Sequence, residues 1–364
     1  MTDADMDLQA LRDGIRDVLD RELDSLRLHR LVDGGTLIDR ALWAKAAELG
    51  WPALAVGDDH GGLGLGARET AVLFEELGRA LAPLPILGGV LAARAIALGG
   101  TPLQQARWLP AIAAGEAVCS VFQPTDEATL SLRRDGGELV LSGEARNLMQ
   151  GAEADLLIVL AKGSGATAPV VIEPKADGVD LILERTVDRT GHLASTRFAD
   201  LRLPADRELA AAEPGAILAA LRVDSALALA CDAVGGAQAV FDRTLDYLKT
   251  REQFGKPIGS FQALKHRCAE HKVALAASAS VVAEAVGLAA EGSPAAPLMA
   301  ALAKTYACEV YAKVAEDAVQ LHGGIGFTWE HDCHLFLKRA KLNQALLGGT
   351  AAGLDHAAEL LMAS

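Results

Sequence analysis

Positive charge is in short supply in this sequence, with 34 Lys plus Arg set against 48 Asp plus Glu for a formal net charge of −14. A phosphate backbone is held by clustered Lys and Arg, so this balance argues against nucleic acid as a partner. Cysteine is sparse too. Cys119, Cys231, Cys268, Cys308 and Cys333 are odd in number and show no CxxC spacing, which excludes a disulfide framework and a zinc ribbon and fits a reducing cytosol. Met1 to Glu22 carries acids before its first basic residue and has no apolar core segment, so no export signal is expected there. Long hydrophobic runs are lacking as well. The most apolar stretch is expected at Ala226 to Val240, which is broken by Asp232 and falls short of the roughly 20 residues of a bilayer span. No internal repeat or low-complexity linker is apparent, and the expected location is the cytoplasm.

Apolar residues make up 51% of the 364, enough for a large core and, at this length, for two or three domains. Three passages follow one another. From Leu8 to Ile112 apolar residues recur at three and four, as in Leu8, Leu11, Ile15, Val18 and Leu19, with breaks at Asp33-Gly34-Gly35, Gly57 to Gly66 and Pro83 to Pro85. From about Ala117 the texture changes to short apolar runs: Val118 to Phe122, Glu138 to Ser142, Asp155 to Ala161, Pro169 to Glu173, Val179 to Glu184 and Ser195 to Leu203. These read as strands of a small antiparallel sheet or barrel. After Pro204, Ala-rich helices are expected over Ile217 to Leu248, Phe261 to Ala290, Ala295 to Leu321 and Ala351 to Met362, packed as a bundle. The expected fold class is α+β: an N-terminal α-helical domain (1–115), a middle β domain (116–208) and a C-terminal helical bundle (209–364).

Two segments of the last passage carry chemistry. Arg251-Glu252-Gln253-Phe254-Gly255-Lys256-Pro257-Ile258-Gly259-Ser260-Phe261-Gln262 combines a fixed cation for phosphate oxygens, an aromatic for a planar ring and an amide for a base edge. That set suits a dinucleotide. The spacing equally describes an ordinary interhelical turn with Phe254 in the core. The second segment, Gln320-Leu321-His322-Gly323-Gly324-Ile325-Gly326-Phe327-Thr328, has adjacent glycines that let pyrophosphate approach backbone N–H groups, although no strand precedes it as in a Rossmann fingerprint. Its alternative is a Schellman-type helix C-cap.

Together, RxxFGxxxxxFQ and QxxGGxGF resemble the C-terminal half of the acyl-CoA dehydrogenase family. The likeness extends through Trp43, Gly50-Trp51, Gly61-Gly62-Leu63-Gly64 and Glu75-Glu76-Leu77-Gly78-Arg79 to Phe198-Ala199-Asp200-Leu201-Arg202-Leu203-Pro204. The resemblance implies that Arg251, Phe254, Gln262, Gln320, Gly323 and Gly324 bind the ADP half of an FAD, in an assembly that is usually a tetramer. In the family's reaction a carboxylate removes the α-proton of an acyl-CoA thioester while the β-hydride passes to the flavin, with electron-transferring flavoprotein as acceptor.

The sequence departs from that pattern where the base belongs. The usual Glu precedes a Gly-Thr pair; here the segment is Leu346-Leu347-Gly348-Gly349-Thr350, with Gly348 at the Glu position. The family's alternative Glu, on the first helix of the C-terminal domain, falls on Ser225, followed by Ala226. Asp224 is the one nearby acid; it sits about 100° around a helix from Ser225 and is expected to be a solvated or capping residue, a poor candidate base. The flavin-ring motifs are altered as well, reading Phe122-Gln123-Pro124-Thr125-Asp126-Glu127-Ala128 and Asn147-Leu148-Met149-Gln150-Gly151. This combination resembles the non-catalytic subunit of the α2β2 acyl-CoA dehydrogenases of actinobacterial steroid side-chain degradation, in which a Glu-bearing homologue completes the site.

Two other readings differ in class. One is a self-sufficient homotetrameric dehydrogenase or flavin oxidase with a displaced base such as Asp224; the other is a flavin-free scaffold or regulator. Weaker signals are read blandly. His331-Asp332-Cys333-His334 is expected to be an exposed helix start and not a metal site, and Gly163-Ser164-Gly165 a hairpin turn.

Overall fold

The computed structural model describes residues 3–124, 130–163, 167–210 and 215–363. From the N-terminus come α1 (Asp3–Glu22), α2 (Ser25–Asp33), α3 (Arg40–Glu48), α4 (Ala67–Ala80), α5 (Ile86–Gly99) and α6 (Pro102–Ala113). The strands β1 (Cys119–Phe122), β2 (Leu130–Asp135), β3 (Glu138–Met149), β4 (Leu156–Lys162) and β5 (Thr167–Ile172) follow, then the single turn α7 (Pro174–Asp177), β6 (Ile182–Leu183) and β7 (Leu193–Pro204). The chain ends with α8 (Ala216–Thr250), β8 (Glu252–Gln253), β9 (Lys256–Pro257), α9 (Gln262–Ala290), α10 (Ala296–His322), α11 (Cys333–Ala345) and α12 (Gly349–Ala363). An N-terminal helical region, a middle sheet and a C-terminal helical region make the α+β class.

Contacts divide the chain into two compact units. The first gathers Met1–Arg30, Ala67–Ala82 and Ala226–Ser364. Here α1 lies on α4, and α9, α11 and α12 pack on α10. Small residues set the spacing: a Cβ at Gly235 of α8 would fall 1.8 Å from the Glu75 carbonyl of α4, so only glycine lets these helices meet. Asp232, which interrupts the apolar run of α8, is buried and accepts from Arg339 (3.0 Å) and Asn343 (2.5 Å) of α11. A charge inside an apolar helix is thereby paired, as burial requires. That pairing also explains why α11, whose buried face includes His334, Arg339 and Asn343, shows no apolar period and was not expected as an element of its own.

The second unit spans Leu31–Gly66 and Pro83–Ser225. Its helices carry strong start signals: Asp39 accepts from the Ala41 and Leu42 amides at the start of α3, and Thr101 with Gln104 forms a capping box on α6. The sheet runs β1-β4-β2-β3-β7-β6, with β5 also on β4. It is mixed, not purely antiparallel as the sequence suggested, because β4 pairs in parallel with both β1 and β2. Leu156 to Ala161 of β4 are all buried, the continuous apolar run of a strand covered on both faces. β2 escapes sequence detection because Ser131, Arg133, Arg134 and Asp135 dilute its two buried leucines. The hairpin expected at Gly163 joins strands that do pair antiparallel, Lys162 facing Thr167; Ser164 and Gly165 lie outside the described residues.

One helix among the described residues, α9, has the length and apolar composition to cross a membrane, with a mean hydropathy of 1.8 over its most apolar 18 residues. It is more apolar than the Ala226 to Val240 stretch singled out from sequence, and its face is in part occupied by α4 and α10.

Candidate functional site

The first motif begins where α8 stops. Arg251 donates its amide to the Tyr247 carbonyl (2.8 Å), and its own carbonyl accepts from Ile258 (2.8 Å), closing a loop around the hairpin β8–β9. The hairpin turns on Phe254 and Gly255, at φ +53° and +76°. Two successive positive φ values make the tight hairpin turn whose twist suits paired strands, and a bulky aromatic in that basin is strained. Phe254 is 91% exposed, touching Phe261 edge-on with centroids 6.2 Å apart. The interhelical-turn alternative, which put Phe254 in the core, is therefore corrected. An exposed ring at a strained backbone position is the pattern of a residue held ready for a ligand or a partner. Arg251 and Gln262, the first residue of α9, are exposed as well.

The second motif closes α10. Gly323 donates its amide to Gln320 and takes φ +63°, ψ −141°, a conformation reserved for glycine and outside the left-handed basin of a Schellman cap. A Cβ at Gly323 or Gly324 would meet nothing within 4 Å, so the backbone there is open to approach. Gln320, Gly323 and Gly324 are exposed, and Phe327 is 77% exposed.

Tyr247, which sequence reasoning passed over, joins the two motifs. Its ring stacks on His322 with centroids 4.4 Å apart, and its hydroxyl donates to the His322 carbonyl at 3.3 Å. The last turn of α8 thus carries Arg251 on one side and grips the residue before Gly323 on the other. A cavity of this unit, about 440 Å³ between α1, α4, α8 and α9, is lined by no residue of the Arg251–Gln262 or Gln320–Thr328 motifs.

Neither expected base position holds a carboxylate, and their surroundings differ. Gly348 ends a short turn in which Leu347 sits at φ 57°, ψ 33°. Gly348 itself has φ +86°, and a Cβ there would lie 2.8 Å from that of Ala352. Lys304, buried on α10, donates to the Gln344 carbonyl (3.2 Å) and the Leu346 carbonyl (2.6 Å) and pins this turn. Burial lowers the Lys304 pKa. Ser225 is buried, and its hydroxyl oxygen accepts from the Gln123 side-chain amide at 2.5 Å. Asp224 is neither solvated nor a cap: it is half-buried and ion-paired with Arg94 of α5 at 3.5 Å. Burial raises its carboxyl pKa against the pull of that guanidinium.

The flavin-ring motifs fall on the sheet. Gln123 follows β1; Thr125, Asp126, Glu127 and Ala128 lie outside the described residues. Asn147, at φ +57°, sits in the irregular register between Ala145 and Leu148 of β3, a bulge that turns the strand end. Gln150 is buried and donates to the Leu84 carbonyl at 2.6 Å, while Ser120 donates to the Met149 carbonyl at 2.9 Å. Met149 and Gln150 are thus held by hydrogen bonds to Ser120 and Leu84, while Asn147 is exposed.

The start of α11 is not exposed. Asp332, Cys333 and His334 are buried, and His331 is half-buried. Asp332 accepts from Ser25 (2.6 Å) and His29 (2.9 Å) and pairs with Arg243, which together hold its carboxyl below the usual range although burial alone would raise it.

Residues 5–116 match the acyl-CoA dehydrogenase N-terminal domain, and residues 217–361 the C-terminal domain of the same family. Acyl-CoA dehydrogenase IpdE2 of Mycolicibacterium smegmatis is 32% identical over 344 residues, which cover 93% of this chain and 94% of the relative. Among solved structures, the ChsE4–ChsE5 complex from Mycobacterium tuberculosis superposes with a TM-score of 0.91 at 26% identity, covering 100% of this chain and 98% of the other. The Tcur3481–Tcur3483 steroid ACAD gives a TM-score of 0.88 at 28% identity, with 98% of each chain covered. Two matched domains and a full-length relative above 30% identity place the chain in the acyl-CoA dehydrogenase family of oxidoreductases.

Proposed function

We propose that this chain is the non-catalytic subunit of a heteromeric, FAD-dependent acyl-CoA dehydrogenase, supplying the ADP-binding half of a flavin site to a Glu-bearing homologue in an α2β2 assembly. The observation that carries the reading is Gly348: its positive φ and its closeness to Ala352 leave no room for the carboxylate that the family's chemistry needs. Ser225, bonded to Gln123, supports it at the second base position. For the ADP half the residues fit. Arg251 is an exposed fixed cation for phosphate oxygens, Phe254 an exposed aromatic face, and Gly323 and Gly324 an open backbone. Gln262 and Gln320 add exposed amides beside them. FAD, when bound, supplies the hydride acceptor for α,β-dehydrogenation of a CoA thioester. This chain's residues would hold and orient the nucleotide end, and the partner would supply the base.

A steroid side-chain CoA ester as substrate is supported by the likeness to a steroid ACAD, and a two-gene assembly by the likeness to a complex of two chains. Electron-transferring flavoprotein as acceptor and a cytoplasmic location belong to the same reading. The test is the flavin-to-protein ratio of the chain purified alone and after co-expression with a Glu-bearing homologue encoded beside it. A colourless chain that gains about one FAD per heterodimer supports the proposal, with Arg251→Ala losing that flavin. A full complement of FAD in the chain alone overturns it.

Asp224 gives a second reading some footing, because it is half-buried and burial raises its carboxyl pKa, the direction in which a general base is tuned. In that case the chain alone would bleach its flavin on addition of acyl-CoA, and Asp224→Asn would abolish the bleaching.

A further inference from the structure

The cavity of about 440 Å³ between α1, α4, α8 and α9 lies wholly within the first unit and serves neither motif of the candidate site. Its size falls in the range of small-molecule sites, about 300–1,000 Å³. The sequence of α9 makes the room. Ala279, Ala283 and Gly287, four residues apart, put a stripe of small residues on one face of that helix, and all three line the cavity. Elsewhere in this unit small residues let backbones touch: a Cβ at Gly78 would fall 2.2 Å from the Asp232 carbonyl oxygen. A Cβ at Gly287 would meet nothing within 4 Å, and Ala279 and Ala283 are exposed. The stripe therefore widens the cavity and opens it to solvent instead of drawing another helix in. Val234 and the buried Val72, Val282 and Val286 make the walls apolar, and the buried Cys231 lies among them.

Two ion pairs border these walls. Arg12 meets Glu75 as a fork, with Nη1 and Nη2 each 2.9 Å from a carboxylate oxygen. Each of these oxygens has a second lone pair, so Glu75 can accept a further hydrogen bond from a molecule beside it. Arg68 of α4 and Glu291, just past the end of α9, pair at 3.5 Å with both side chains exposed, and such a pair contributes little and opens readily. Three carboxylates, of Glu75, Glu284 and Glu291, stand against two guanidinium groups, of Arg12 and Arg68, which leaves the lining one negative charge in excess. We propose that this cavity binds an uncharged apolar molecule bearing one hydrogen-bond donor, with its body against the valines and its donor on Glu75. Charge selects that class: the excess carboxylate repels an anion, and a cation would give up its hydration to apolar walls. The molecule bridges four helices and, binding only the folded chain, stabilises it. The site stands whether or not the flavin reading holds.

The probe is N-phenyl-1-naphthylamine, an uncharged pair of aromatic groups joined through one N–H, compared with 8-anilinonaphthalene-1-sulfonate, the same skeleton carrying a sulfonate. Titrated into the full chain, the first should give a blue-shifted fluorescence that saturates at one equivalent, and the sulfonate should bind about ten-fold or more weakly. Ala283→Phe fills the cavity from an exposed position of α9 and should lower the affinity for N-phenyl-1-naphthylamine about ten-fold or more. Gly287→Leu, which fills it from a position that has room and favours the helix, should do the same. Val273→Ser, which removes an exposed apolar side chain of α9 outside the cavity, should leave the titration unchanged. Equilibrium dialysis of the co-expressed complex should again show a site that Ala283→Phe removes. Equal affinity for the two probes, binding that survives both α9 substitutions, or binding that the chain shows alone and loses in the complex overturns the proposal; the last result would make this face an interface between chains.

Discussion

Tyr247 stacks on His322 with ring centroids 4.4 Å apart and planes 23° from parallel, so two motifs that are distant in sequence share one contact. A stacked aromatic pair contributes about 0.5–1.5 kcal/mol beyond its buried area. In the co-expressed complex, Tyr247→Leu should weaken FAD binding by about two- to ten-fold, the equivalent of that energy, while Tyr247→Phe keeps the stack and most of the affinity. Fluorescence titration of the apo-complex with FAD reads both. Unchanged affinity in Tyr247→Leu would mean that the two motifs act separately.

In the proposed reading, Phe254 sets stability against nucleotide binding. It is 91% exposed and held at φ +53°, so the isolated chain gains little from its ring and bears the backbone strain. A left-handed non-glycine residue costs about 1–2 kcal/mol. Phe254→Gly should therefore raise the melting temperature of the isolated chain slightly while lowering flavin retention in the complex. A ring that served only the fold would show the opposite: lower stability and unchanged flavin.

Glu76 ties α1 to α4. Fully buried, it accepts from Arg12 (3.1 Å), Arg16 (2.7 Å) and Arg79 (2.7 Å). Burial pushes its pKa up, but the hydrogen bonds and charges of Arg16 and Arg79 outweigh burial and hold the carboxyl below its ordinary value. Glu76→Gln should cost about 2–3 kcal/mol at pH 7, somewhat under the value for a fully buried pair because the arginines reach solvent. A carboxyl with a lowered folded pKa stabilises above its unfolded value, about 4.3, and that stabilisation is lost as pH falls through the folded value. The gap between wild type and Glu76→Gln in urea unfolding should therefore be widest near neutrality and close below about pH 4. A gap independent of pH would mean that Glu76 acts through packing alone.

The parts of the fold that sequence reveals are those in which one residue type does one job. α8, α9 and α10 announce themselves because alanine, leucine and valine recur at helical spacing. α11 does not, because Arg339 and Asn343 turn inward to meet Asp232, and polar residues at buried positions erase the period. The hairpin β8–β9 is hidden for a different reason: two-residue strands have no period, and a turn on Phe254-Gly255 lacks the usual Asn or Asp. At the site, the glycines, Arg251 and the missing Glu could be read directly. The partners that define their surroundings could not, since Tyr247 with His322, Gln123 with Ser225 and Arg94 with Asp224 are contacts across the chain that no local spacing encodes. The expectation of a solvated Asp224 failed on Arg94, and that of an exposed helix start at His331 failed on Ser25, His29 and Arg243, which cover Asp332.

Restoring the family's glutamate should not restore the family's chemistry. Gly348 has φ +86°, which a side chain resists, and a Cβ would press to 2.8 Å against Ala352. The turn cannot relax to make room, because buried Lys304 holds the carbonyls of Gln344 and Leu346 just before it. Gly348→Glu should therefore destabilise the chain by about 1–2 kcal/mol through the left-handed backbone alone, with the contact adding to it. Adding Ala352→Gly removes the contact but leaves the φ penalty, so the double variant should recover only part of the loss. Neither variant, purified alone, should bleach added FAD with acyl-CoA. Lys304→Met frees the turn by leaving both carbonyls without their donor, at a cost of about 1–3 kcal/mol. If Gly348→Glu proved as stable as wild type while Lys304→Met did not, the pinned turn would be shown to tolerate the carboxylate, and its absence would then be a loss of sequence alone and not of room.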